Sequence, residues 1–335
     1  MSGVIARTRT ATTSALRDIQ APVQEGLERV VEEMRRIVVE DLPIIREVSG
    51  HLLQMRGKMF RPTLALLASQ VEDRPQPRVV TLASVVELMH LATLVHDDSV
   101  DHSVLRRGLP TVNSLFSHQV SVIMGDFLYS RALTALVGMG DLEILKIVTD
   151  VANELTIGEM RQLGAVDALA FSEEDYNHLI RAKTASLIGG ACESGALCGA
   201  PQFRGALAEY GDRLGMAFQI ADDILDYTGN ESVTGKPGGL DLREHKVTLP
   251  LIAALPLVSP AARRRIDELF ATEQPGDELL ADVIGIVSDA GGIEYARGKG
   301  DAFAHDAERA LRVLPESAVR SALTDAIAYV MDRRS

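Results

Sequence analysis

The chain has 335 residues, of which 46% are hydrophobic, 24% charged and 4% aromatic, with no tryptophan and a formal net charge of −13. That length and apolar share suffice for a sizeable core, yet no run approaches the roughly 18 uninterrupted apolar residues of a membrane span. Charge this negative repels nucleic acid and anionic lipid over a Debye length, so no nucleic acid and no integral membrane association are expected.

Residues 1–20 hold Arg7, Arg9 and Arg17 among several threonines, without the apolar stretch of a secretory signal. They read as a mobile leader, with an organellar address as the alternative. Residues 21–335 contain no linker, repeat or low-complexity stretch and read as one domain. Apolar residues then recur at steps of three and four in Leu27 to Val39, Leu64 to Val71, Val79 to Val95, Val120 to Leu136, Leu142 to Leu163, Tyr176 to Leu197 and Leu207 to Ile224. Helix starts are marked by Pro62, by Ser172 with Asp175 three residues on, by Ser259-Pro260 and by Pro315. Breaks fall at Gly108-Leu109-Pro110, Gly138-Met139-Gly140 and the glycine-rich stretch 235–239. The expected fold is all-α, a bundle of long, mostly antiparallel helices around a central apolar cavity, with Ala and Gly letting the helices approach closely. Cys192 and Cys198 lie six apart on one predicted helix, point to different faces and suit a reduced, cytoplasmic setting as buried thiols.

Two of these helices end in the same acidic pattern. The first runs LMHLATLVHDDSVD and carries Asp97, Asp98 and Asp101; the second runs LGMAFQIADDILDYTG and carries Asp222, Asp223 and Asp226. Residues four apart share a helix face, so Asp97 lies over Asp101 and Asp222 over Asp226. A lone acidic cluster is usually a solvated helix end. Six carboxylates repeated at one spacing on two apolar helices repel one another unless hard cations lie between them, which points to magnesium.

Basic residues surround these boxes in the sequence: Lys58 and Arg61 in GKMFRP, Arg106-Arg107 just after the first box, then Lys183, Lys236 and Lys246. Magnesium completes its shell with phosphate oxygens, and arginine forks bind the remaining ones, so this composition implies a diphosphate. No glycine-rich nucleotide loop accompanies it.

Taken in order, Gly57-Lys58-x-x-Arg61-Pro62, His90, Asp97-Asp98-x-x-Asp101 with Arg106-Arg107-Gly108, Gly125-Asp126, Lys183-Thr184, Phe218-Gln219-x-x-Asp222-Asp223-x-x-Asp226, Gly235-Lys236 and Lys246-x-Thr248-Leu249-Pro250 resemble the trans-isoprenyl (polyprenyl) diphosphate synthases. The resemblance runs from about Leu27 to the mid-250s and leans towards the bacterial long-chain enzymes that make quinone side chains. Leu240 stands where relatives often carry a second Asp, and His245 where many have Gly.

The resemblance implies three Mg²⁺ shared by both boxes and an allylic diphosphate, with Asp97, Asp101 and Asp222 as direct ligands and Asp98, Asp223 and Asp226 binding through water. It assigns Lys58, Arg61, His90 and Arg107 to isopentenyl diphosphate, and Arg106, Lys183, Thr184, Gln219, Lys236 and Lys246 to the allylic diphosphate and its departing charge. It also implies a homodimer. A terpene cyclase would bind one diphosphate and has no need of Lys58, Arg61 and a second full box; a noncatalytic partner subunit would have lost acidic residues, and all six are present.

Counting back from Asp97, Thr93 and Ala92 lie one turn below, Met89 and Leu88 two turns below. Ala92 is small where short-chain relatives often place an aromatic, so a medium- or long-chain product is expected, growing into an apolar pocket directly below the metals.

Overall fold

The computed structural model describes residues 15–55, 57–163, 168–229 and 238–332. The fold is almost wholly helical: α1 (Gln24–Ile37), α2 (Pro43–Gln54), α3 (Phe60–Ser69), α4 (Arg78–Val100), a two-stranded hairpin β1–β2 (Leu105–Arg106 and Leu109–Pro110), α5 (His118–Gly138), α6 (Leu142–Leu163), α7 (Glu173–Ile180), a π-helical segment (Arg181–Ala185), α8 (Ser186–Leu197) and α9 (Arg204–Thr228). The chain continues through α10 (Leu249–Ala254), α11 (Pro260–Ala271), α12 (Asp277–Asp289), α13 (Gly292–Ala310) and α14 (Ala318–Met331).

The main packing partners are α9 with α13 and α8, α4 with α5, and α8 with α3. Small residues make the closest of these contacts possible: a side-chain carbon at Gly195 of α8 would overlap the Ala65 carbonyl of α3. One apolar cluster joins α1, α3, α4, α5, α8 and α14; a second joins α7, α10, α11, α12 and α13. Helix α9 belongs to both, through Leu207, Tyr210 and Leu214 on one side and Met216, Ile220 and Ile224 on the other. The second acidic box at the end of α9 is thereby fixed on a helix gripped along its whole length.

Ser172 and Asp175 form the expected capping box on α7, and the Ser259 hydroxyl accepts from the Ala262 amide at the start of α11. Three expectations shift. Helix α3 opens at Phe60, after Met59 in the left-handed region (φ 54°), so Arg61 and Pro62 lie inside its first turn. The last helix is capped by Ser317, whose hydroxyl accepts from the Arg320 amide, two residues beyond Pro315. The predicted Tyr176–Leu197 helix is interrupted by the π segment, which inserts a residue's worth of extra turn at Lys183-Thr184.

Residues 15–20 are helical and belong to the packed body. Leu16 and Ile19 enter the first core cluster, and the Gln20 side chain donates to the Lys58 carbonyl at 2.9 Å and to the Thr63 hydroxyl at 3.1 Å. Helices α4 and α5 are each long and apolar enough to span a bilayer, but 72% of the apolar stretch of α4 is buried in the fold against 33% of that of α5. Helix α4 is therefore a core helix, and α5 leaves Val122, Ile123 and Val137 exposed, continued by Ile157 and Met160 on α6. Cys192 and Cys198 are free thiols, both buried, and burial pushes the Cys198 thiol up to about 11.

Candidate active site

Asp97 and Asp98 occupy the last turn of α4 and Asp101 caps it, its amide bonded to the Asp97 carbonyl at 2.8 Å. The chain then turns through β1–β2, where Arg107 (φ 53°) and Gly108 (φ 79°) occupy the two central positions of a tight hairpin of the I′ kind. This turn presents both arginines. Arg106 Nε donates to Asp98 Oδ1 at 2.7 Å, and Arg107 reaches the Met55 carbonyl at 2.7 Å across Gly57, where any side chain would collide with its guanidinium. His51 of α2 holds the Pro110 carbonyl at 2.8 Å, bracing the hairpin from the opposite side.

The Asp97 carboxyl is pushed up to about 6, first by burial and then by Glu159, with Asp101 adding to it; Lys183 and Arg106 pull the other way. Lys183, carried by the π segment, is held at 2.7 Å by both Glu159 and Gln162 of α6. So Asp97, Asp101, Glu159, Lys183 and Arg106 share one electrostatic neighbourhood. Lys246 links it to the second box: its pKa is raised chiefly by Glu244, which it contacts at 2.7 Å, and also by Asp101 and Asp241, against the cost of its own burial.

On α9, Asp222 is exposed while Asp223 is buried with both carboxylate oxygens occupied, by the Tyr176 hydroxyl at 2.5 Å and the Gln219 amide at 2.8 Å. Thr184 donates to Gln219 at 2.8 Å. Asp226 accepts from the backbone amides of Leu240 and Asp241 at 3.1 and 3.0 Å, an anchoring role at the start of a short helical turn. Among the described residues no three His, Cys, Asp or Glu side chains converge closely enough to enclose a metal alone. The donor set still fits magnesium, which takes one or two carboxylates and completes its shell with water and phosphate, and which would relieve the crowding that raises Asp97.

The Asp241 carboxyl is pushed up to about 7 by burial, then by Asp226 and Asp222, with Lys246 opposing. An unfolded aspartate titrates near 4, so this group's contribution to stability is fully present below pH ~4 and is lost as pH rises through about 7. Asp241→Asn is therefore expected to stabilise the metal-free protein by roughly 2 kcal/mol at pH 8, allowing for partial solvation, and by much less at pH 5. Thermal melts at the two pH values read this directly; equal gains at both would rule the burial cost out.

The remaining basic residues gather on the other side of the hairpin. Arg61 is partly buried, its Nε enclosed and without a hydrogen-bond partner, and burial lowers its pKa against the pull of Glu87. Glu87, on α4, is buried and its carboxyl raised, with Arg61 and Arg107 opposing. Burial and the charges of Arg61, Arg107 and Arg106 hold His90 well below its usual value, hence neutral. Lys58 donates to the Tyr329 hydroxyl of α14 at 2.8 Å, with its ammonium 5.4 Å from the ring centroid. Arg61, His90 and Arg107 are thus brought into one charged neighbourhood with Glu87, and Lys58 is held by the last helix. On the assignment the resemblance implies, Tyr329→Phe is expected to raise the KM for isopentenyl diphosphate about 5-fold, the scale of one lost hydrogen bond to a charged group, with kcat nearly unchanged; steady-state kinetics with a saturating allylic primer would show it, and an unchanged KM would dismiss the role.

Lys236 lies outside the described residues. Of the residues below Asp97, Leu88, Met89 and Ala92 are buried and Thr93 is half-buried, its hydroxyl donating to the His90 carbonyl at 2.8 Å. An open hollow of about 490 Å³ lies along α5, lined by Asp126, Tyr129, Ser130, Leu133, Thr134 and Val137, and the Asp126 carboxylate meets His96, next to Asp97 in the chain, at 3.3 Å. Sequence reasoning missed Glu87, Glu159, Gln162, Tyr176, Asp241 and Tyr329 as site residues. Glu87 alone had a local signal, a carboxylate three residues before His90 on the same apolar helix face.

The family described as polyprenyl synthetase matches residues 42–287. The chain is 37% identical over 318 residues to an all-trans-nonaprenyl-diphosphate synthase (geranyl-diphosphate specific) of Rhodobacter capsulatus, covering 94% of this chain and 97% of that one. It is 36% identical over 313 residues to a short chain isoprenyl diphosphate synthase of Methanothermobacter thermautotrophicus, covering 91% and 94%. Its fold superimposes on the crystal structure of a decaprenyl diphosphate synthase from Rhodobacter capsulatus with a TM-score of 0.90 at 34% identity, over 96% and 99% of the two chains.

Proposed function

The chain belongs to the polyprenyl synthetase family and is a prenyltransferase, and from that premise we propose that it condenses isopentenyl diphosphate repeatedly, head to tail, with an allylic diphosphate to give an all-trans polyprenyl diphosphate of medium to long chain. The observation that carries this reading is the division of the site into two halves. Lys58, Arg61, neutral His90 and Arg107 form one basic half backed by Glu87, and the two acidic boxes with Arg106, Lys183 and Lys246 form the other.

Mg²⁺ held by Asp97, Asp101 and Asp222 would supply charge for the leaving diphosphate; three such ions per site is the reading taken from the family. Arg106, Lys183 and Lys246 add protein charge to the same oxygens and so favour ionisation of the allylic C–O bond. Thr184 and Gln219 orient that diphosphate through hydrogen bonds. The homoallylic double bond of isopentenyl diphosphate, positioned by Lys58, Arg61, His90 and Arg107, attacks the allylic cation. A proton then leaves, to the released diphosphate; Asp98 is already held by Arg106 and both oxygens of Asp223 are occupied. Apolar packing around α4 excludes water that would quench the cation.

The exposed apolar residues of α5 and α6 support a homodimer formed through that face. Buried free thiols suit the cytoplasm. The product chain serves as a quinone side chain or a related isoprenoid, and a short-chain product is the second reading, favoured by the packing of Leu88, Met89 and Ala92.

The test is incorporation of labelled isopentenyl diphosphate with dimethylallyl, geranyl, farnesyl or geranylgeranyl diphosphate in separate reactions, with the dephosphorylated products resolved by length. A ladder ending well beyond geranylgeranyl and abolished by EDTA is expected. A stop at farnesyl or geranylgeranyl keeps the reaction and replaces the chain-length assignment; no incorporation overturns the reading.

A further inference from the structure

Asp223 is a buried carboxylate of the second box, and its two oxygens are spoken for by different elements. Gln219, one turn earlier on α9, donates to Oδ1 at 2.8 Å; Tyr176, from α7, donates to Oδ2 at 2.5 Å. The chain of contacts continues from Gln219 Oε1 to the Thr184 hydroxyl at 2.8 Å. Tyr176 is 1% exposed and Asp223 4%. Helix α7 runs without a break into the π segment that carries Lys183 and Thr184. Two links therefore fasten that segment to the second box, one through Thr184 and Gln219 and one through the Tyr176 phenol, and both end on the same carboxylate.

We propose that Tyr176 is a positioning residue for the allylic half of the site: by holding Asp223 it keeps Asp222 and the Lys183-Thr184 segment in register, and Asp223 acts as an anchor and not as a metal ligand. This rests on the reading that the second box and Lys183-Thr184 receive the allylic diphosphate. A buried carboxylate that loses a donor costs the desolvation of that oxygen, so it turns to find another partner. Gln219 and Thr184 must follow, because each has its contact through it. The isopentenyl half has no member in this chain of contacts and is left in place.

Tyr176→Phe removes one oxygen and keeps the ring in the second apolar cluster. The expected result is a 10- to 100-fold loss of kcat, the usual scale for a residue that orients ligating groups, with a rise of about 10-fold in both the KM for the allylic diphosphate and the Mg²⁺ concentration for half-maximal rate. The KM for isopentenyl diphosphate stays as in the parent. A purely structural role would lower the melting temperature and the active fraction without this split between substrates, and that outcome, or unchanged kinetics, overturns the proposal.

A double-mutant cycle with Gln219→Leu adds a second reading. Losses that act through one carboxylate combine to little more than the larger of the two; strict additivity speaks against a shared path. If the phenylalanine variant does not fold, Asp223→Asn, which retains an acceptor for the phenol, takes its place. An anchor then costs 10- to 100-fold where Asp222→Asn costs far more, and equal losses make Asp223 a ligand and end the proposal. Retention of activity by Asp222→Asn refutes the underlying assignment of the second box instead, so the two failures are distinguishable.

Discussion

Asp97→Ala is expected to lower kcat by on the order of 10³-fold or more while leaving the metal-free protein as stable as its parent or more so. The two effects have one cause. Asp97 sits partly buried at the end of α4, its carboxyl raised to about 6 by burial and by the facing charges of Glu159 and Asp101. In the absence of a cation its ionised form is a liability to the fold, and alanine removes it without opening a cavity in the apolar core, since the side chain is only half-buried. On the proposed reading the same charge binds the metal–diphosphate unit when substrate is present, and the neighbouring carboxylates are already engaged: Asp98 by Arg106 and Glu159 by Lys183. Kinetics and thermal melts on one preparation decide the matter. A variant within ten-fold of the parent kcat, or one that melts well below it, would remove Asp97 from the centre of the site.

That pairing of high functional cost with low structural cost explains what the sequence shows and what it hides. The boxes are legible because they break a rule: charged residues at intervals of four on otherwise apolar helices make no sense as core or as solvated face. Helices α4, α6 and α9 are legible for the complementary reason, with long unbroken periodicity that puts their edges within a few residues of Arg78–Val100, Leu142–Leu163 and Arg204–Thr228. The C-terminal helices α12 and α13 were not delineated, since their apolar residues are diluted by Gly, Asp and Glu on faces that meet solvent. The π segment was invisible too, because a helix with one extra residue in a turn keeps its local propensities and changes only the direction of the residues that follow. The largest omissions are the partners across the chain. Tyr329 lies 271 residues from Lys58 and Tyr176 lies 47 from Asp223, and a tyrosine in an amphipathic helix reads as core until its hydroxyl is seen to find a charge.

Ala92→Phe is expected to shorten the final product by several isoprene units while sparing the first condensation. Ala92 stands five residues before Asp97, about 7.5 Å below it along α4, and is buried in the first apolar cluster. A chain growing down from the diphosphate passes this level after its first units, whether it follows α4 or crosses to the open volume beside Tyr129 and Leu133 on α5, whose upper end at Asp126 adjoins His96. A phenyl group at 92 narrows either route, because α4 and α5 are in extensive contact and neither can retreat without disturbing the other. Overpacking of this kind costs about 1–3 kcal/mol, so the variant should fold with a lowered melting point. The diphosphate-binding atoms lie more than a turn away, and the rate with a short primer should hold. The decisive measurement is the length distribution of dephosphorylated products across Ala92→Val, Ala92→Leu and Ala92→Phe. A length that falls as side-chain volume rises places the growing chain against α4 and α5, and an unchanged distribution in a folded, active Phe variant rules out both routes.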